Sequence, residues 1–222
     1  MNKAHVLAAA AVLAVGSAAH ADITVTPAIV SDYDFRGITQ TQEDPALQLG
    51  LDYSFNSGFH VNAWASNVDY GRGDPDVKVD FGAGFSGGDA AGGLAYDLGV
   101  VSYLYPGASS INTVEAYAGI TRGLFGAKLW YSPDYNGAHA SAYYLEGNVS
   151  VPLTQTFFLR GHAGWSDGDA WRYVGGYYDW SMGVEWTAGN VTLGLRYVDG
   201  DHDVVKGRVI GAFSVQLPWS AQ

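Results

Sequence analysis

The stretch DVKVDFGAGFS, residues 76–86, alternates between two kinds of side chain. Every second position from Val77 to Phe85 is apolar, and the positions between them hold Lys78, Asp80 and two glycines. Because successive side chains of a strand point to opposite faces, a period of two predicts a β-strand with one apolar face. The other face is small and rich in glycine, unlike the charged outer face of a soluble β-sandwich.

The same alternation recurs along the rest of the chain. It defines segments of about ten residues that are separated by Gly, Asp, Asn and Pro. We count twelve such segments, at residues 23–33, 45–55, 59–68, 76–86, 94–105, 113–121, 124–132, 142–151, 156–166, 178–188, 191–199 and 207–217. After the N-terminal segment no apolar run is long enough for a transmembrane helix, so the pattern predicts strands throughout.

The connections between these segments have two lengths. Longer, acidic connections alternate with mostly tight turns such as 56–58 and 122–123. The longer ones are residues 34–44, 69–75, 106–112, 133–141, 167–177 and 200–206. Long loops on one side and short turns on the other predict an all-β fold, a transmembrane antiparallel up-and-down β-barrel of about 12 strands. A periplasmic β-sandwich is the alternative.

The first 21 residues predict a cleaved signal peptide. Lys3 provides the positive start, residues 6–15 form an apolar run, and Ala19-His20-Ala21 is a small-x-small cleavage site. The apolar run is too short to span a bilayer. We therefore expect a barrel domain at residues 22–222, located as an integral protein of the outer membrane of a Gram-negative bacterium.

The composition suits lipid surroundings. Of 222 residues only 15% are charged, 48% are hydrophobic, 30 are glycine and none is cysteine. A typical soluble domain carries about 25% charged residues. The net charge of −11 argues against nucleic acid as a partner, because phosphate binding needs a basic surface. Aromatic residues near strand ends predict the girdles at the two membrane interfaces, namely Tyr103, Tyr105, Tyr131, Tyr143, Tyr144 and Trp219.

If the apolar faces meet lipid, the other faces line a lumen that holds eight acids and six bases. The acids are Asp32, Asp34, Asp52, Asp80, Asp97, Glu115, Glu146 and Glu185, and the bases are Arg36, Lys78, Lys128, Arg160, Arg196 and Arg208. Two interpretations stay open. The charges pair and stiffen the wall, or they form a constriction whose transverse field selects solutes by charge. Asp32, Asp34 and Arg36 are the strongest constriction candidates, because we expect them to share one face at the extracellular end of strand one.

The size of the barrel limits what it conducts. Twelve strands about 4.8 Å apart and tilted by about 40° give a backbone radius of roughly 12 Å. Side chains fill much of that space. These dimensions therefore predict a narrow path for small solutes and exclude a wide general-diffusion pore.

No cofactor, metal site or catalytic site is predicted. The acidic runs 167–169 and 199–203 lack the spacing of a calcium loop, so they are solvated loops or bridge through divalent cations to lipopolysaccharide. His202, between Asp201 and Asp203, is the one candidate for catalysis, and no Gly-x-Ser-x-Gly turn accompanies it. We therefore predict that the protein is not an enzyme.

Several stretches resemble the TorF family of proteobacterial porins. They are SDYDFRGITQT at 31–41, AWASNVD at 63–69, YPG at 105–107, YSPDY at 131–135 and YLE at 144–146. The resemblance implies an outer-membrane barrel with a channel role, and it brings no catalytic or ligand residues. Two features depart from the pattern. Asp34 stands where the family commonly has an apolar residue, and Trp219 is followed by three further residues where such barrels tend to end on an aromatic.

The expected function is a narrow channel for passive diffusion of small hydrophilic solutes, with the acidic mouth favouring cations or neutral molecules. The alternative is a closed barrel whose acidic extracellular loops serve a structural or adhesion role. Expected partners are outer-membrane lipid, lipopolysaccharide, the solute and the barrel assembly machinery, for which the alternating Phe213, Val215 and Leu217 form the assembly signal.

Overall fold

The computed structural model describes residues 22–71, 75–173 and 175–219, and the predicted signal peptide lies outside these ranges. The chain is built almost entirely from strands. They are β1 (Asp22–Val30), β2 (Asp34–Phe35), β3 (Ile38–Thr39), β4 (Ala46–Ser54), β5 (Phe59–Asn67), β6 (Val77–Gly88), β7 (Ala95–Leu104), β8 (Thr113–Arg122), β9 (Phe125–Ser132), β10 (Ala142–Pro152), β11 (Phe157–Asp167), β12 (Tyr177–Ala188), β13 (Val191–Gly200), β14 (Arg208–Val215) and β15 (Leu217–Trp219). Three single 3-10 turns lie in the long loops, at Ser109–Ile111, Tyr135–Gly137 and Asp169–Trp171.

The strands close into a barrel. Each long strand from β4 to β14 pairs antiparallel with its neighbours in the chain. β1 pairs with β4 along one edge, and its other edge pairs with β14 and, beyond a break, with β15. Pro27 lies at that break and has no backbone N–H to donate. Because β15 continues the line of β14, the wall has twelve strand positions, which confirms the predicted fold class.

The outward face is apolar, as the alternation predicts. Leu47, Phe81 and Val209 expose 69%, 53% and 60% of their surface, and the polar neighbours of Phe81 and Val209 point inward. A continuous apolar exterior is unstable in water and stable against lipid hydrocarbon. Within the described residues no helix has the length and apolar character to cross a membrane.

The buried core lies inside the barrel. One cluster joins Val30, Tyr33, Ala46 and Val68, with Trp64 packed against it. A second cluster joins Tyr117, Trp130 and Tyr144. We assign the side with short turns to the periplasm and the side with long loops to the outside. Since Val30, Ala46 and Val68 lie at or just beyond the loop-side ends of their strands, the first cluster occupies the extracellular half.

Candidate functional site

The loop between β1 and β4, residues 31–45, folds into the extracellular end of the barrel. Its strands β2 and β3 form a hairpin in which Asp34 lies opposite Thr39 and Phe35 opposite Ile38. The two turn residues, Arg36 and Gly37, have φ values of 53° and 81°. Positive φ at both central positions is the geometry of a tight two-residue hairpin turn, and it brings the tip of the loop to the lumen wall.

Gly37 is required at this tip for a second reason. A Cβ built on Gly37 would lie 2.6 Å from the Cβ of Asp179 on β12 and 2.8 Å from a methyl carbon of Val205. No real Cβ tolerates such contacts, so only glycine lets the hairpin approach the wall this closely. The sequence Arg36-Gly37 thus determines both the turn and the depth of insertion.

Arg208, at the start of β14, anchors the loop. Its guanidinium contacts the Asp32 carboxylate, donates to Oδ1 of Asp34 at 2.5 Å, and donates to the Gly37 carbonyl at 2.9 Å. Asp32 also accepts from the hydroxyls of Thr39 and Thr41 within the loop. Asp32 and Arg208 are buried, so the charges are held by each other and by hydrogen bonds rather than by water.

Arg36 makes the second ionic contact of the loop, to Glu115 on β8. Two parallel hydrogen bonds of 2.9 and 2.6 Å join the guanidinium to the carboxylate, which is bidentate pairing. Burial acts to lower the pKa of Arg36, but Glu115 outweighs burial, so the pKa lies well above its ordinary value. The guanidinium also lies over the Tyr144 ring at 4.5 Å. Arg36 is therefore a fixed cation inside the lumen.

Lys78 on β6 is the third contact between wall and loop. Its ammonium donates to the Tyr33 hydroxyl at 3.0 Å and lies 4.2 Å from the centre of the Phe35 ring. It also lies 4.3 Å from the Tyr103 ring and 3.4 Å from Asp80. Two of these aromatic partners belong to the loop, so Lys78 holds the loop by cation–π contact as well as by hydrogen bonding.

The predicted position of Asp32, Asp34 and Arg36 is wrong, although all three do line the lumen. The strand ends at Val30, and the three residues lie in the folded loop instead of on one face of strand one. The physical reason is the left-handed turn at Arg36 and Gly37, which reverses the chain where the period of two continues in the sequence. In the structure Asp34 pairs with Arg208.

The remaining predicted bases are also paired. Lys128 contacts Asp97 at 3.1 Å, Arg160 contacts Glu185 at 2.7 Å, and Arg196 lies 3.6 Å from the second oxygen of Asp34. Each predicted base therefore lies within 4 Å of a carboxylate.

Two of the predicted acids do not pair with any of the six predicted bases. Glu146 accepts from the Trp130 indole at 2.8 Å and from Asn148 at 3.0 Å. Asp52 is exposed towards the periplasmic end of β4 and forms no ion pair with any described residue. The structure thus brings thirteen of the fourteen candidates into contacts and leaves Asp52 apart.

Sequence reasoning missed Asp179. Its carboxylate accepts from the Tyr144 hydroxyl at 3.0 Å and lies 3.0 Å from Nε2 of His162, whose Nδ1 lies 2.8 Å from Asn148. Asp179 lies six residues before Glu185 on β12, so the two side chains point to the same face. Extending the alternation back to the start of that strand would therefore have predicted that Asp179 faces the lumen.

Three of the predicted girdle residues also lie inside. Tyr103, Tyr105 and Tyr144 are buried among lumen groups, whereas Tyr131 and Trp219 are exposed as predicted. Closeness to a strand end does not tell an outward-facing girdle residue from a residue that points into the lumen. The odd or even position within the strand does, since Tyr103 lies on the same face of β7 as Asp97. The inner aromatic side chains surround the hairpin and narrow the lumen from the extracellular side.

Two cavities lie beneath the hairpin. One of about 390 Å³ extends from periplasmic turn residues such as Gly123 to Asp34 and Arg36 at the hairpin. The other, of about 200 Å³, lies towards β4 to β7 and shares Asp34 and Arg36 with the first. The barrel thus encloses a space, lined by both charged and apolar groups, that opens towards the periplasm and ends at loop 31–45.

A family model described as a bacterial protein of unknown function (Gcw_chp) matches residues 14–215. The chain belongs to this Gcw_chp family. No curated protein matches it in sequence.

Solved structures share the fold of this Gcw_chp protein. The KdgM porin is 12% identical with a TM-score of 0.56, covering 90% of this chain and 99% of its own. The NanC porin is 10% identical with a TM-score of 0.54, and the match covers 90% of this chain and 100% of the NanC chain. The COG4313 outer membrane channel from Pseudomonas putida F1 is 11% identical with a TM-score of 0.50, covering 92% and 97%. The Gcw_chp chain is therefore a porin-like barrel, and its closed wall and apolar exterior make it an integral outer-membrane protein.

Proposed function

We propose that this Gcw_chp protein is a narrow channel for passive diffusion of small hydrophilic solutes. The observation that carries the proposal is the space inside the lipid-facing wall, which is lined by paired charges together with apolar groups and is narrowed by the inserted loop 31–45. Fixed ions and dipoles at a constriction let hydrated solutes pass while they discriminate by charge and size. Conduction of this kind needs no chemical step, so we propose a channel and not an enzyme.

The proposed preference is for cations or neutral solutes. Among the described residues of the extracellular side, seven acids are exposed, against the exposed bases Arg172 and Lys206. These acids are Glu43, Asp44, Asp69, Asp76, Asp169, Asp201 and Asp203. A rim of one sign raises the local concentration of counter-ions and repels anions. The same acids are the proposed contacts to lipopolysaccharide through divalent cations, and β14 with β15 is the proposed signal for the barrel assembly machinery.

We also propose membership of the TorF porin family, on the strength of the stretch at residues 31–41. Its Asp32, Arg36 and Gly37 are the residues on which the inserted hairpin depends. A motif that folds a loop into the lumen is one that a channel family would retain.

One observation favours a second candidate function. Loop 31–45 fills the extracellular end so closely that Tyr33 and Thr41 expose only 4% and 1% of their surface. A barrel that stays closed in this way would serve envelope structure or adhesion through its acidic loops.

Single-channel recording of the refolded protein in planar bilayers separates the two candidates. We expect a stable open level in potassium chloride, because the charged lumen retains water. A refolded barrel, verified by a changed gel migration on heating, that stayed silent at all voltages would support the closed barrel.

Arg36→Ala is expected to make the open channel more selective for cations. The substitution removes a fixed cation from the part of the lumen that loop 31–45 occupies, and it leaves the Glu115 carboxylate without its cationic partner. Under a potassium chloride gradient, the reversal potential should move towards the equilibrium potential of potassium. Arg36→Lys keeps the charge and is the matched control. An unchanged reversal potential in Arg36→Ala would show that Arg36 takes no part in charge selection.

A further inference from the structure

The cavity of about 200 Å³ has an unusual inner wall on strands β4 to β7. It combines the aromatic rings of Trp64 and Tyr103 with the polar side chains of Gln48, Asn62 and Asp80, and Trp130 of β9 lines the same cavity. Its volume is below that of sites that hold drug-sized ligands. The space therefore suits a single small solute.

Four polar groups of this wall have no hydrogen-bond partner in the described ranges 22–71, 75–173 and 175–219. They are the amides of Gln48 and Asn62 and the Trp64 indole N–H, which belong to half-buried residues, and Oδ1 of Asp80, which has no surface that a solute can reach. Such groups, close together in a cavity, are the arrangement expected where a solute supplies the missing donors and acceptors.

The register places these groups side by side. Trp64 lies between Gly50 of β4 and Asp80 of β6, and Asn62 lies opposite Gly82. A Cβ on Gly82 would lie 2.9 Å from Cγ of Asn62, and one on Gly50 would lie 3.9 Å from Cδ1 of Trp64. The Asn62 amide thus lies directly over Gly82, where the Cβ of any other residue would clash with it, and Gly50 keeps ordinary contact distance from the indole.

The charges around the cavity are already compensated. Arg36 pairs with Glu115, Arg196 lies beside Asp34, and Glu146 lies 3.6 Å from Nδ1 of His162. The groups that remain free are uncharged apart from one carboxylate oxygen of Asp80, whose other oxygen faces Lys78. The wall therefore offers hydrogen bonds and an aromatic surface and no unpaired charge.

We propose that this wall is a binding subsite for a neutral polyhydroxylated solute of the size of a monosaccharide or sugar alcohol. Hydroxyl groups both donate and accept, so they complete the Gln48 and Asn62 amides and accept from the Trp64 indole N–H, while the C–H face of the solute covers an aromatic ring. The inference deepens the proposed channel function and rests on it, since it names the solute class that the channel passes.

The test measures binding separately from conduction. Titration calorimetry on the refolded protein, in polyoxyethylene micelles that contain no sugar headgroup, uses glucose, galactose and sorbitol as probes. Gluconate and glucosamine are the charged counterparts of glucose. We expect saturable binding of at least one neutral probe, and weaker binding of both charged counterparts.

The Gln48→Ala/Asn62→Ala double variant is expected to bind the neutral probe about tenfold more weakly or worse, because two hydrogen bonds are lost. Trp64→Leu should weaken binding similarly. Asn190→Ala changes an exposed asparagine in the turn between β12 and β13 and should leave binding unchanged. In planar bilayers the same neutral probe should reduce the ion current saturably in the wild type and much less in the double variant.

The outcomes distinguish the two proposals. A conducting channel that binds none of the neutral probes, or binds only gluconate or only glucosamine, would overturn the subsite and leave the channel standing. Neutral-probe binding that the double variant abolishes, in a barrel that never conducts, would support the subsite and overturn the channel. Equal affinity in the wild type and the double variant would show that the probe binds elsewhere.

Discussion

Arg208→Ala is expected to release loop 31–45 from the lumen and to make a wider conductance level predominant. The substitution removes the group that contacts Asp32, Asp34 and the Gly37 carbonyl at once. Breaking a buried ion pair by removing one partner costs about 3–5 kcal/mol, because the other charge remains buried. Since about 1.4 kcal/mol is a factor of ten, the packed position of the loop should lose a factor of about one hundred or more.

The barrel should survive this substitution. Its wall is held by backbone ladders that do not depend on the Arg208 side chain, so the penalty falls on the loop, which relieves it by leaving the lumen. Single-channel recordings should show the larger level for most of the open time. Trypsin provides an independent readout, because cleavage after Arg36 requires the hairpin to be outside the barrel.

Arg122→Ala is the matched control. It makes the same change of charge at an exposed residue at the periplasmic end of β8, far from the loop. It should show the wild-type conductance and the wild-type resistance of the Arg36–Gly37 bond to trypsin. If Arg208→Ala behaved like this control in both measurements, the anchoring of the loop by Arg208 would be refuted.

Phe81→Arg is expected to destabilise the folded barrel by about 2–4 kcal/mol. Phe81 faces outward and lies opposite Ala63, the central residue of β5, which places it near the middle of the apolar band. An arginine there is moved into hydrocarbon without a partner. The free energy of unfolding in lipid vesicles, measured by denaturant titration, gives the cost directly.

Phe125→Arg tests whether this cost depends on depth. Phe125 is the first residue of β9 and exposes 66% of its surface at the periplasmic end of the wall. Arginine near the interface costs about 0–1 kcal/mol, because its side chain reaches the headgroups. An equal loss in the free energy of unfolding at Phe81 and Phe125 would mean that the apolar band of the wall is not centred near Phe81.

Much of the wall is predictable from local sequence. The segment predicted at residues 45–55 is a strand at Ala46–Ser54, and the one at 142–151 is a strand at Ala142–Pro152. Prediction succeeds here because lipid on one side and the lumen on the other impose a period of two that every strand must carry by itself.

The candidate site is predictable only in part. Parity places Glu115, Arg196 and Arg208 in the lumen, but it does not say which acid faces which base. Arg36 and Glu115 are 79 residues apart in the chain, and Asp32 and Arg208 are 176 apart. Such pairs depend on the closure of the barrel, which no local pattern contains.

By itself, the amino-acid sequence determined the barrel, the faces of its strands and most of the charges that the strands place inside, because each follows from alternation within one segment. Only the tertiary structure decided that residues 31–45 turn back into the lumen, that the tyrosines at 103 and 144 lie inside, and that the charges are paired. The physical reason is that a left-handed turn at Arg36-Gly37 directs the loop inward, and buried partners on distant strands then hold it there.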